Sequence, residues 1–264
     1  ILPGWVKRFD VDLAVPHIGW NGINVKQPTD LFYGLDGDEK FYFVHSYHAV
    51  ADDPASVLTT TDYGYPFVSA VQKNRIQGTQ FHPEKSGAAG LTVLENFIRK
   101  DRQVAIPGKC PSPTRLAKRI IACLDVRAND QGDLVVTKGD QYDVREQGQV
   151  RNLGKPVALA GRYYEQGADE ITFLNITGFR DFPLHDMPML RVLEETSKQV
   201  FVPLTIGGGI RDFTDCNGKH HTALEVASEY FRSGADKISI GSDAVLTVEE
   251  VLRTGRASGT SPIE

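Results

Sequence analysis

The sequence has little cysteine: three in 264 residues, Cys110, Cys123 and Cys216, far apart and with no CxxC pair. That spacing argues against zinc and points to a reducing compartment. Long apolar runs are missing too, and none approaches the length of a membrane span. The opening stretch ILPGWVKRFD lacks the apolar core of a signal peptide, so a cytoplasmic setting is expected. Positive charge is not in excess: 29 Lys and Arg face 34 Asp and Glu, for a net charge of −5. This speaks against a general nucleic-acid surface, but a phosphate site needs only local donors and stays open. No metal and no cofactor is expected.

What is present divides into two textures. Residues 1–104 read as short strands joined by turns, with β-rich stretches FYFVHSYHAV (41–50) and PFVSAVQKNRIQGTQFH (66–82). A helix over 87–100 follows, with Leu91, Leu94, Phe97 and Ile98 at helical spacing. AIPGKCPSPT (105–114) carries three prolines and a glycine and reads as a linker. From residue 115 strands alternate with helices: strands over 119–125, 169–176, 201–206 and 236–241, helices over 156–166, 186–198 and 222–233. Such alternation implies a parallel α/β sheet. YYEQGADEITFLNIT (163–177) and YFRSGADKISIGSDA (230–244) repeat one another as helix end, Gly-Ala-Asp turn and strand. Repeated units favour a duplicated barrel, and no GxGxxG follows the first strand, which weakens a Rossmann reading. A complete (β/α)8 barrel takes about 250 residues, so 115–264 holds only its first half.

Several residues stand out by chemistry. GTQFHPEKSG (78–87) sets His82 and Glu84 two apart, on one side of an extended chain. A carboxylate beside an imidazole fixes its tautomer, which is two thirds of a nucleophilic triad; a lone H-x-E, however, is more often an ordinary strand end. Asp125 ends the apolar IIACLD, where a barrel keeps its functional groups and where a capping carboxylate would also sit. Gly207, Gly208 and Gly209 follow a strand, as do Gly241 and Ser242; bare amides there would make an anion nest, or only tight turns. Lys138 lies in a loop, where lysines are usually solvated. Arg119, Glu170 and Lys237 begin three strands and so mark the lower mouth of a barrel. His45 and His48, three apart on one strand, point to opposite faces and read as structural or interface residues; His220 and His221 read as solvent-exposed.

VPHIGWN, YFVHSYHAV and QFHPEKSG together resemble the glutaminase half of the imidazole glycerol phosphate synthases. LAKRIIACLDVR, LVVTKGDQYDVRE, ADEITFLNITGFRDF, PLTIGGGIRDF and ADKISIGSDAV resemble the cyclase half. The resemblance runs over nearly the whole chain and is closest to the fused plant and fungal form, for which a plastid is the alternative compartment. It implies the C-terminal part of a class I glutamine amidotransferase domain (1–104), a linker (105–114) and the first half of a TIM barrel (115–264). It implies that glutamine is hydrolysed and that ammonia passes through the barrel to a phosphorylated ribulosyl aminoimidazole substrate. By the same resemblance His82 is the base for a thiol, Glu84 its orienter and Asp125 the cyclase acid or base. Lys138 belongs to a substrate loop, and the glycines with Ser242 hold a substrate phosphate. Arg119, Glu170 and Lys237 form a charged gate facing the glutaminase, with His17 and Trp20 at the same interface. The family's nucleophile is a cysteine in a Gly-x-Cys-x-Gly turn, and none of the three cysteines here has that setting. The sequence therefore reads as part of the enzyme, expected to be inactive alone as a glutaminase. A catalytically dead glutaminase-like module that steadies a phosphate-binding barrel is the alternative. No nucleic-acid or membrane partner is expected.

Overall fold

The computed structural model describes residues 2–74, 76–99, 119–137, 145–146, 149–150, 152–176, 182–257 and 259. Lys138 and the 105–114 segment lie outside the described residues. The chain divides into two compact units, Ile1–Lys118 and Arg119–Glu264.

The first unit is built on antiparallel strands: β1 (Gly4–Arg8), β2 (His17–Asn21), β3 (Asn24–Val25), β4 (Phe41–His45), β5 (Tyr47–Ala51), β6 (Val57–Asp62), β7 (Pro66–Lys73) and β8 (Ile76–Thr79). They form a sheet of order β1-β5-β7-β6-β3, with β8 on β7, and a separate β2–β4 ribbon. FYFVH forms β4 because aromatic side chains fill a pleated, half-buried surface well. Phe41 and Phe43 join Phe9, Phe32, Phe67, Phe81 and Leu58 in one apolar cluster. The stretch 41–50 is two strands, since a bend at Ser46 separates β4 from β5. His45 and His48 therefore do not project from opposite faces of one strand: both rings pack on Phe9, at 5.2 and 4.9 Å.

Helix α1 (Gly87–Ile98) buries Gly90, Val93 and Asn96. Its inward stripe is thus not the apolar set read from spacing, and Phe97 and Ile98 are exposed. The reason is polar: Asn96 Nδ2 donates to the carbonyls of Leu31 and Tyr33 at 3.1 and 2.8 Å, closing loop groups that burial would otherwise orphan.

The second unit contains β9 (Ile121–Ala128), β10 (Leu134–Thr137), the short pair β11 (Arg145–Glu146) and β12 (Gln149–Val150), α2 (Pro156–Glu165), β13 (Glu170–Asn175), α3 (Pro188–Ser197), β14 (Leu204–Gly207), the short pair β15 (Phe213–Thr214) and β16 (His220–His221), α4 (Ala223–Arg232), β17 (Lys237–Ser239) and α5 (Ser242–Thr254). The main sheet has the order β10-β9-β13-β14-β17. β9, β13, β14 and β17 are parallel neighbours in chain order, as the alternation predicts. β9 does not stop at Asp125, because antiparallel β10 extends its ladder to Ala128. Helices α2 and α3 each start on a proline, which tolerates the first turn by lacking an N–H. Helix α4 starts on a capping box, in which Thr222 and Glu225 satisfy each other's backbone amides.

The two Gly-Ala-Asp turns fold alike. Gly167 and Gly234 take φ of 91° and 109° past the ends of α2 and α4, a region open to glycine. The alanine amides bond back to Tyr163 and Tyr230. Each aspartate then reaches a neighbouring strand: Asp169 accepts from the Ile120 amide at 2.7 Å, Asp236 from the Leu204 amide at 2.8 Å. The repeated tripeptide is a device that ends a helix and fixes the level of the next strand.

Candidate functional site

In the first unit the candidate centre is the turn that follows β8. His82 is extended, and its amide bonds to the Tyr42 carbonyl of β4 at 2.9 Å. Pro83 then opens a 3-10 turn over Pro83–Lys85. Glu84 comes beside His82 through this turn and not along an extended strand. His82 Nδ1 and Glu84 Oε1 are 2.8 Å apart and both side chains are about half exposed. The hydrogen bond to His82 is the main cause holding the Glu84 carboxyl below its usual range. Ser86 braces the turn: its hydroxyl donates to the His82 carbonyl at 2.5 Å and accepts from the Tyr42 amide at 2.9 Å. An ordered imidazole with a carboxylate on one nitrogen leaves Nε2 as the base for an incoming nucleophile.

Helix α1 presses on this turn at one point. A Cβ at Gly90 would lie 1.8 Å from the Pro83 carbonyl oxygen and 2.8 Å from Ser86 Cβ. Gly90→Ala is therefore expected to push the turn off β4, at a stability cost of about 2 kcal/mol. Urea denaturation measures the loss, and NMR of His82 should show its carboxylate contact broken. An unchanged midpoint would show that the turn and helix separate freely.

His17 is buried, 3 % exposed, its ring stacked on Tyr63 at 3.9 Å and Phe43 at 4.9 Å. Burial first, and the nearby His45 second, push its pKa down to about 3. Trp20 is half-buried, 6.0 Å from the Tyr42 ring, and its indole N–H has no hydrogen-bond partner among the described residues.

In the second unit, parallel register puts Asp125, Leu174, Gly207 and Ser239 at one level near the strand ends. Leu124 and Val126, fully buried, take the opposite face from half-buried Asp125. Gly208 and Gly209 follow at φ of 84° and 75°, and a Cβ at Gly208 would meet the Asn175 carbonyl at 2.1 Å. Only glycine fits this close approach. Gly241 caps the N-terminus of α5, and Ser242 is its first residue. Asp125 and these backbone turns thus share the same end of the sheet.

The other end carries Glu170, 2 % exposed and ion-paired to both Arg119 and Lys237. The cluster joins three strand starts, and Lys237 reaches across β14 to do so. A buried carboxylate is tolerated here because two cations and their N–H donors replace lost water.

His221 is not solvent-exposed. It is 3 % exposed, with Nε2 3.2 Å from Asp215 Oδ2 and its ring on Phe213. The β15–β16 hairpin turns His221 alone inward, while Gly218, Lys219 and His220 stay exposed, as expected for His220. Among the described residues no group of three or more His, Cys, Asp or Glu is placed to hold a metal ion.

The chain is an α/β protein with a His–Glu turn in its first unit and, in its second, a parallel sheet carrying a carboxylate and glycine turns at one end. The sequence model of the histidine biosynthesis protein family matches residues 119–263, and that of the class-I glutamine amidotransferases matches residues 11–100. The chain belongs to the histidine biosynthesis protein family. It is 56 % identical over 274 residues to imidazole glycerol phosphate synthase hisHF, chloroplastic, of Arabidopsis thaliana, covering all of this chain and 46 % of that protein. It is 54 % identical over 280 residues to imidazole glycerol phosphate synthase hisHF of Schizosaccharomyces pombe, covering all of this chain and 52 % of that protein. The imidazole glycerol phosphate synthase subunit HisH of Syntrophotalea carbinolica is 48 % identical over 104 residues, 37 % of this chain and 50 % of that subunit. The chain spans about half the length of the hisHF relatives it matches.

Proposed function

We propose that this chain serves a bifunctional imidazole glycerol phosphate synthase. Residues 1–104 belong to the glutaminase and 115–264 to a (β/α)8 cyclase barrel, of which four successive parallel strands are described. The observation that carries the reading is the 2.8 Å His82–Glu84 contact on a turn held to β4, within a chain similar throughout to the hisHF enzymes. His82 takes the proton of a cysteine thiol, and Glu84 holds the imidazole in the tautomer that accepts it. Ammonia released from glutamine reaches the phosphorylated ribulosyl aminoimidazole substrate, where Asp125 moves protons during ring closure. The turns at Gly207, Gly208, Gly209, Gly241 and Ser242 bind a substrate phosphate through backbone amides, and Lys138 joins a substrate loop. Arg119, Glu170 and Lys237 form a charged gate on the ammonia path, and His17 and Trp20 support the glutaminase side of it. The enzyme works in the cytoplasm, or in a plastid if the source is a plant.

The test supplies the full-length protein that carries this sequence with glutamine and the ribulosyl aminoimidazole substrate. Equal amounts of glutamate and imidazole glycerol phosphate are expected. Product from free ammonia but none from glutamine would favour a dead glutaminase-like module; product from neither would overturn the reading.

A further inference from the structure

We propose that Arg211 is a further binding residue, whose guanidinium closes on a phosphate seated on the Gly207–Gly209 turn. The inference rests on the phosphate-binding role proposed for that turn, and adds the positive charge that backbone amides lack.

The turn admits close approach. A Cβ at Gly208 would lie 2.1 Å from the Asn175 carbonyl oxygen, and one at Gly207 would lie 3.0 Å from both the Leu174 and the Ser239 side chains. Gly208 is exposed and Gly209 half-buried, and neither amide is bonded to a carbonyl among the described residues. Gly207 pairs in register with Ser239, so the turn at Gly241 leaves the sheet beside it. Open amides of this kind bind an anion through their dipoles. A phosphate monoester carries about −1.5 to −2 charge at neutral pH, which dipoles alone do not neutralise.

Arg211 is placed to supply the missing charge. It is the only cationic side chain between residues 203 and 218. It stands two residues after Gly209, so at 3.8 Å per Cα step the two lie no more than about 7.6 Å apart, a distance an arginine side chain spans. Ile210 and Phe213, 3 % and 8 % exposed, anchor the backbone on either side of it. Asp212 fixes that backbone further by accepting from the Ala223 amide of α4 at 2.7 Å. Arg211 is half-buried, yet the carboxylates of its own loop are engaged elsewhere. Asp212 holds Ala223 and lies 3.8 Å from His220 Nε2; Asp215 accepts from the Asn217 and Lys219 amides and sits 3.2 Å from His221 Nε2. Arg211 thus has no ion-pair partner among the described residues, although a charge withdrawn from water is ordinarily paired. A planar guanidinium meets two phosphate oxygens at once. Two amide turns and one such fork fit a phosphate monoester.

The test titrates inorganic phosphate at low salt into the full-length protein that carries this sequence, with its glycines labelled for NMR. The Gly208 and Gly209 amides should shift. In Arg211→Gln the phosphate midpoint should rise roughly tenfold, the loss of one charge-assisted contact. Arg211→Lys keeps the charge without the fork and should recover part of the affinity. Added salt should narrow the gap between the wild type and Arg211→Gln. In cyclisation with free ammonia, Arg211→Gln should raise KM for the ribulosyl substrate and leave kcat nearly unchanged, the pattern of lost binding. Glycine shifts with an unmoved midpoint in Arg211→Gln would overturn the proposal and leave the role of the turn standing. No glycine shift in the wild type would remove the role of the turn, and the proposal with it. Should Arg211→Gln not fold, Arg211→Lys decides, by a weakened midpoint against an unmoved one.

Discussion

Acidification from pH 7 to pH 4 is expected to lower the unfolding free energy of the first unit by about 3 kcal/mol through His17 alone. The ring is neutral in the fold, with a pKa of about 3 against an ordinary 6.5. Below 6.5 the unfolded chain takes a proton that the folded chain refuses. Stability is therefore complete above that value and drains away as pH falls toward 3. His45, whose pKa is also lowered chiefly by burial, adds in the same direction. Glu84 adds little, because its carboxylate is half exposed and screened by water. Small domains hold roughly 5–15 kcal/mol in total, so the effect should be plain. Both tryptophans, Trp5 and Trp20, lie in this unit, which makes indole fluorescence a selective probe of it. The urea midpoint should drop steeply between pH 6.5 and pH 4, and His17→Phe should flatten that slope. A wild-type midpoint that holds steady to pH 4 would mean that His17 charges in place, and the buried neutral ring would be a misreading.

The same histidine shows where the sequence was readable and where it was not. The parallel strands of the second unit were legible because apolar strand stretches alternate with helices along the sequence. The Gly-Ala-Asp repeat was legible as a repeat; that its aspartates tie neighbouring strands was not, since the partner amides lie 49 and 32 residues away. Burial was harder. His221 sits among polar neighbours in sequence and His17 in the mixed stretch VPHIGW, and only the folded ribbon and hairpin bring Tyr63, Phe43 and Phe213 onto them. Long-range contact likewise decided the inward face of α1, where Asn96 displaces the apolar stripe expected from spacing. Helix α5 was missed, although Gly255, at φ of 68° just past its end, is the kind of stop that marks a helix terminus. The closeness of His82 and Glu84 was legible, but not its cause: a proline-initiated 3-10 turn braced by Ser86 does what an extended strand was expected to do.

Asp125→Asn, made in the full-length protein that carries this sequence, should separate the two proposed activities. Asp125 is half-buried at the strand-end level shared with Gly207 and Ser239, and its unit contains neither His82 nor Glu84. Asparagine nearly preserves volume and still hydrogen-bonds, so the ladders of β9 with β10 and β13 should survive. It cannot take up and return a proton as a carboxyl group does. Loss of a general acid or base typically slows a reaction by ~10²–10⁴-fold. Cyclisation with externally supplied ammonia should fall by that factor, while glutamine hydrolysis continues. Supplying ammonia directly takes the path between the two activities out of the measurement. Circular dichroism of the variant should match the wild type, which distinguishes lost chemistry from lost fold. If the folded variant cyclises at close to the wild-type rate with free ammonia, Asp125 is only a strand residue and the proton transfers belong to another group.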